Sequence, residues 1–411
     1  MTTLTVGASA PSTRSASRTR KLRPVLRVLL LVWAASSAGV LCSAETLAQN
    51  AYITNSGDNT VSVINTSTNK VIATIPVDKG PNALTVTPDG GNVYVANGGS
   101  ASVSVIDPET NGVIDTISVG SGPGGGVAAA PDGSKVYVLN GCFDLCGVVS
   151  VIATATDTVI ATIPVGDRPS GAAVSPDGRK VYVTNGFANS VSVIATKTNT
   201  VIDTIAVGMF PQFLAVTPDG GRVYVGNSNS NTVSVIETAN DTVIATIPVG
   251  STDPFAGGSY PQGVAVSPDG RWVYVANSYL ANSVSVISTE SNTVLATIPV
   301  GVQPEGLAVT AEGSKLYVAN ANYGGPGTVS VVNTARNELV ATIPVGVKPQ
   351  AFGIFIQRPL GFAGTPGKSN CYGRTVSALT SQYHGINAAA KALGYSSARS
   401  LQNTILAYCE A

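Results

Sequence analysis

A pentapeptide of the form apolar-Tyr-Val-x-Asn recurs seven times along this chain, and its spacing restricts what the chain can fold into more than any other feature. It reads Ala51-Tyr52-Ile53-Thr54-Asn55 in its first copy, with Ile for Val, and then Val93 to Asn97, Val136 to Asn140, Val181 to Asn185, Val223 to Asn227, Val273 to Asn277 and Leu316 to Asn320. The tyrosines Tyr52, Tyr94, Tyr137, Tyr182, Tyr224, Tyr274 and Tyr317 follow one another at 42, 43, 45, 42, 50 and 43 residues. A repeat of about 40–45 residues that holds several strands predicts a β-propeller, one blade per repeat. The expected fold is therefore an all-β, seven-bladed propeller over residues 49–357.

One repeat shows the blade. From Leu214 to Gly250, four apolar runs (Leu214 to Thr217, Val223 to Val225, Thr232 to Ile236, Thr242 to Val249) alternate with turn-forming clusters, giving four antiparallel strands A to D. Val, Ile, Thr and Tyr dominate the runs, as suits a pleated surface packed on both sides. Pro-Asp-Gly, beginning at Pro88, Pro131, Pro176, Pro218 and Pro268, ends strand A, and the sixth copy keeps only its glycine, Gly313. Asn69, Asn111, Asp157, Asn199, Asp241, Asn292 and Asn337 occupy one position of the C to D turn, where Asn and Asp tolerate a left-handed backbone. The asparagines that close the pentapeptide are read as caps on a turn backbone rather than as ligands. The first repeat begins at its B strand, and Pro349 to Ile356 falls where an A strand is due, so a C-terminal strand is expected to complete blade 1 and close the ring.

The termini set the compartment. Residues 1–48 place six basic residues (Arg14, Arg18, Arg20, Lys21, Arg23, Arg27) before the apolar run Val28 to Leu41 and a small-residue stretch, the layout of a secretory signal peptide cleaved after Ala44 or Ala48. Fourteen apolar residues fall short of a bilayer span. Removing the leader leaves 17 basic against 22 acidic residues, which disfavours nucleic-acid binding. An exported chain favours disulfides among Cys142, Cys146, Cys371 and Cys409. Three pairings are open, and the local one, Cys142 with Cys146 and Cys371 with Cys409, is expected. Residues 358–370 form a Pro- and Gly-rich linker, and 371–411 a small helical tail that the second disulfide would staple.

The VYVxN, PDG, VSVI and TIPVG segments resemble the YVTN family of β-propeller repeats over residues 51–357. The resemblance implies an exported or surface-located binding or structural module; one periplasmic relative is associated with single-stranded DNA. It carries over no catalytic residue, metal or cofactor.

Departures from the repeat fall on one face, that of the B to C and D to A loops. There lie the long loops and the non-motif aromatics Phe143, Phe187, Phe210, Phe213, Phe255, Tyr260, Tyr279 and Tyr323. Exposed aromatics gathered on one side mark a recognition surface. A Pro-x-x segment precedes each A strand and should ring the mouth of the central channel. Four of its seven x residues, Gln212, Gln262, Glu305 and Gln350, carry Gln or Glu. With Arg168, Phe210, Phe255, Tyr260 and Lys348 they make the predicted binding arc, amides and a carboxylate supplying polar contacts and rings apolar ones. The expected role is an exported, monomeric, non-enzymatic scaffold whose partner is a protein or another cell-envelope component, with a small ligand as a further option. The lone histidine, His384, lies in the tail, so a histidine-based triad or multi-histidine metal centre has no material in the propeller. A lactonase-like hydrolase is the alternative; it would need acids converging at the channel, for which Glu305, Asp167 and Asp253 are the candidates.

Overall fold

The computed structural model describes residues 49–120, 122–141, 147–250 and 259–357. They form seven antiparallel sheets: Asn50–Asn55 to Lys70–Pro76 with three strands, then six four-stranded blades beginning at Pro81, Val127, Pro169, Pro211, Pro261 and Pro304. Blade 5 is typical, with strands A to D at Pro211–Val216, Arg222–Asn227, Thr232–Glu237 and Thr242–Pro248, close to the boundaries read from its apolar runs. Helix is confined, among the described residues, to one 3-10 turn at Ser228–Ser230.

The seven motif tyrosines are buried between blades, and four of their hydroxyls join neighbours. Tyr94 donates to Asp157 at 2.6 Å, Tyr182 to Asp241 at 3.3 Å, Tyr224 to Asn292 at 2.9 Å and Tyr317 to Asn69 at 2.7 Å. Each acceptor is the C to D turn residue of the next blade, and all seven turn residues are left-handed, with φ between 51° and 56°, as the sequence predicts. Basic residues opening strand B reinforce these joints: Lys135, Lys180 and Lys315 donate to the Thr196, Thr238 and Thr66 carbonyls.

The motif asparagines are scaffold, but not as turn caps. Their amide nitrogens donate across the blade to strand C hydroxyls, Asn227 to Thr232 and Ser234, Asn277 to Ser283 and Ser285, and likewise at Asn55, Asn97, Asn140, Asn185 and Asn320. The reason is register: the Asn of strand B faces the first residues of strand C, and these are Ser or Thr in nearly every blade.

The inner strands approach one another closely. A Cβ on Gly171 would stand 2.6 Å from the Gln212 carbonyl, and one on Gly263 2.4 Å from that of Glu305. Residues 349–357 lie against the open edge of blade 1 through bridges at Asn55–Pro349 and Ala51–Ile356 and a Tyr52 N–H to Phe355 hydrogen bond of 2.9 Å. They form no continuous strand there. Left-handed Ala351 and Gly353 (φ 52° and 112°) turn the segment toward the axis, where Leu84 and Val86 of blade 2 donate to Phe352 and Ile354. Phe352 then stacks on Phe213 of blade 5, ring centroids 3.8 Å apart.

Candidate functional site

Five blades display a side chain from a backbone conformation that side chains disfavour. The residue before the proline that opens strand A is left-handed in all seven repeats: Gly80, Gly122, Arg168, Phe210, Tyr260, Gln303 and Lys348, with φ from 41° to 64°. Glycine meets this geometry without cost, and two blades use it; a side chain there costs about 1–2 kcal/mol, and a following proline further disfavours helical conformations. The conformation is held because each of the seven carbonyls accepts from the N–H just beyond the motif Asn, as in Ser228 to Phe210 (3.0 Å) and Gly186 to Arg168 (2.8 Å). Asparagine side chains of the preceding blade's B to C loop add a second clamp. Asn189 accepts from the Phe210 amide and Asn282 from the Gln303 amide, both at 2.8 Å, and Asn231 from the Tyr260 amide at 3.2 Å. The next side chain but one falls in a register break of the A–B ladder, between Pro211 and Leu214, Pro261 and Val264, and Pro304 and Leu307. Such a break frees Gln212, Gln262 and Glu305 from strand pairing.

The structure sorts the predicted arc into three groups. Arg168 is exposed, with its guanidinium 5.0 Å from the Phe187 ring centre and 4.9 Å from that of Phe210, and the two rings meet at 5.7 Å. Tyr260 packs on Tyr279 at 5.3 Å and an interplanar angle of 57°. Tyr323 gathers the third group: its hydroxyl donates to Glu305 at 2.7 Å, its amide to the Gln303 side chain at 2.9 Å, and the Lys348 ammonium lies 5.8 Å from its ring centre, with Gln350 alongside. Gln212 and Gln262 remain half-buried at the inner edge. Phe255, Asp253 and all four cysteines fall outside the described residues. Gln303 and Met209 are members that sequence reading missed, although Gly80 and Gly122 at the same repeat position signalled the left-handed site.

Phe213 is a correction. It was expected among the exposed rings of the variable face, but its half-buried ring faces the axis and stacks on Phe352, because strand alternation turns it inward.

Glu305 is 4% exposed and lies in no ion pair among the described residues. Burial pushes its carboxyl up to about 7, against a smaller lowering by the Tyr323 hydroxyl. Burial and the adjacent Glu305 charge push the Tyr323 phenol above its ordinary value. No three His, Cys, Asp or Glu side chains converge as a metal site among the described residues.

The exposed apolar side chains of this face make a crescent over consecutive blades. Phe187, Met209, Tyr279, Leu280 and Val302 each expose more than half their surface, and Tyr323 nearly half. The loops before strand A of blades 2 and 3 and the B to C loop of blade 2 carry glycine instead, at Gly80, Gly122, Gly124, Gly98 and Gly99, and the B to C loop of blade 3, with Phe143, lies outside the described residues.

Comparison with known proteins supports the fold. A family model described as a lactonase, 7-bladed beta-propeller, matches residues 135–246, and one described as a YNCE-like beta-propeller matches residues 27–123. The chain is a β-propeller. No curated protein matches it. Among solved structures, a chain of hydrazine synthase from Kuenenia stuttgartiensis superimposes with a TM-score of 0.60 at 24% identity, covering 72% of this chain and 98% of that one. A functionally unknown protein from Desulfotomaculum acetoxidans gives a TM-score of 0.65 at 20% identity, covering 75% and 99%. These likenesses extend to the fold alone.

Proposed function

We propose that this protein is an exported binding propeller that recognises a cell-envelope partner with the crescent of blades 4 to 7, and that residues 349–357 act as the closing element of its ring. The observation that carries the reading is the left-handed display position. Five blades accept a backbone cost at the one place where the ring presents a side chain, and the residues held there, Arg168, Phe210, Tyr260, Gln303 and Lys348, are those through which surfaces make directional contacts. Folding does not require them, since glycine serves in two blades. Rings with an arginine and three buried-edge amides suit a protein surface better than a small molecule, because the inner strands and the Phe213–Phe352 stack leave little room along the axis.

The lactonase resemblance covers blades 3 to 5, and four carboxylates of that stretch have other duties. Asp157 and Asp241 receive tyrosine hydroxyls at blade joints, and Asp177 and Asp219 hold Pro-Asp-Gly turns through Ser175 and Thr217. The match therefore reads the repeat more than a reaction centre. Separated envelope fractions (protein, glycan, lipid) provide the test, applied to the immobilised wild type and to Arg168→Gly/Phe210→Gly/Tyr260→Gly. Saturable binding to the protein fraction that the triple variant loses while keeping its melting temperature supports the reading. Equal binding by both chains, or lactone hydrolysis that the triple variant retains, overturns it.

A further inference from the structure

The opposite face, built from the A to B and C to D turns, has one joint unlike its neighbours. Where Lys135, Lys180 and Lys315 bind the next blade, blade 6 carries Trp272. The Tyr274 hydroxyl makes no hydrogen bond among the described residues, and the Asn337 carbonyl oxygen that should receive it has no partner. The tyrosine bond is missing at Tyr52 and Tyr137 as well, but here, with Trp272 in the lysine position, a crevice of about 650 Å³ lies between blades 6 and 7, lined by Asp269, Trp272, Tyr274, Glu312 and Thr334 and, among the described residues, by no basic one. Tyr274 is 1% exposed, so an almost fully buried side chain presents its unpartnered hydroxyl to this space. Both carboxylates are ionised at neutral pH. Burial opposes this in each case, but the Ser267 hydroxyl, the Arg271 amide and the Arg271 charge hold Asp269 below the usual carboxylate range, and the Glu312 amide with Thr310, Ser314 and Gln49 does the same for Glu312. Neither is ion-paired among the described residues.

The crevice lies beside the point where the chain leaves the propeller. Gln357 donates its amide to Asn50, and the neighbouring Gln49 donates its side chain to Glu312 at 2.9 Å. The charges on the two sides of that exit are opposite. Residues 49–357 hold 12 basic and 21 acidic side chains, whereas 358–411 hold five basic (Arg358, Lys368, Arg374, Lys391, Arg399) and one acidic, Glu410. Arg374 lies 17 positions beyond Gln357, a reach of up to about 55 Å.

We infer that the crevice between blades 6 and 7 is the docking site of this chain's own basic C-terminal segment, with a lysine or arginine side chain received between Trp272, Asp269 and Glu312. An aromatic face with two carboxylates is the pairing that a cationic side chain seeks, and the tethered segment is present at high effective concentration. The inference is independent of what the variable face binds.

Trp272 reports the outcome directly, since Trp33 is the chain's only other tryptophan. In the full chain carrying Trp33→Phe, acrylamide quenching of Trp272 is compared with that in the same chain carrying Arg374→Glu/Lys391→Glu/Arg399→Glu, and again at about 1 M NaCl, where exposed pairs are screened. At least a twofold rise in the quenching constant is expected in the reversed chain at low salt, and in the unreversed chain at high salt. Asp269→Asn/Glu312→Gln should match that rise. Quenching that is unchanged by salt and by charge reversal overturns the inference. So does protection of Trp272 by added poly-lysine when charge reversal of the tail has no effect, which would mark the crevice as a site for an external cation. The salt comparison uses the unreversed chain, so it decides even if the reversed variant fails to fold.

Discussion

Replacing Phe210 by glycine and, separately, by alanine isolates the backbone cost on which the proposed site rests. Both variants remove the same ring, with its contacts to Phe187 and Arg168, worth together about 1–2 kcal/mol. They differ in the conformation that remains. Alanine at φ 56° still carries the left-handed penalty of about 1–2 kcal/mol, which glycine avoids. Glycine loses about 0.5–1 kcal/mol more through backbone entropy on folding. The difference leaves Phe210→Gly more stable than Phe210→Ala by about 0.5–1 kcal/mol, roughly 1 °C in Tm for a body of about 300 residues, which paired urea titrations resolve through their midpoints. At Ile202, an exposed outer-strand residue outside the left-handed set, the order should reverse, with alanine the more stable. Both Phe210 variants should lose partner binding alike. Alanine at least as stable as glycine at position 210 would refute the claim that the loop holds this residue left-handed, and unchanged binding would remove Phe210 from the site.

Other expectations follow from single observations. Burial raises Glu305 in the folded chain from an ordinary 4.5 to about 7; its stabilising contribution is therefore complete below about pH 4.5 and lost as pH rises through about 7, a span of up to about 3 kcal/mol. Glu305→Gln should flatten urea stability over that range and exceed the wild type at pH 8, and parallel curves would count against a buried carboxyl. Gly208→Ala would put a Cβ 2.6 Å from the Asn227 side-chain carbon, with an expected loss of about 2–3 kcal/mol; Gly141, whose Cβ would meet nothing within 4 Å among the described residues, is the neutral control in the same thermal melts. Phe352→Ala should cost about 3–4 kcal/mol by emptying the stack with Phe213, and a change below 1 kcal/mol by calorimetry would show that the segment does not seal the axis.

The propeller was legible because the blades repeat the same local signals: a tyrosine between sheets and Asn or Asp in a left-handed turn in all seven, and Pro-Asp-Gly after strand A in five. What escaped was what repetition does not encode. Phe213 looked like one more loop aromatic because nothing in a linear period says that it meets Phe352 across the axis. The closing segment was expected to pair as a strand, but left-handed Ala351 and Gly353 bend it inward. The asparagine clasp could have been found, since Ser or Thr opens strand C opposite nearly every motif Asn. Trp272 in a position held by lysine or arginine in four other blades was equally visible and passed over, because a single aromatic in a strand reads as core.

Repetition also supplies the baseline that separates scaffold from site. Every blade exposes an apolar residue on its outer strand, Ile72, Ile114, Ile160, Ile202, Ile244, Leu295 and Val340, and a feature shared by all seven blades cannot tell one direction of approach from another. The crescent can, because it occupies part of the ring and breaks the symmetry. Both ends of the described chain leave by the opposite face, Gln49 beside Thr66 of a C to D turn and Gln357 beside Gly90 of an A to B turn. The described propeller is thus entered and left on the face opposite the one that carries Arg168, Phe210, Tyr260, Tyr323 and Lys348.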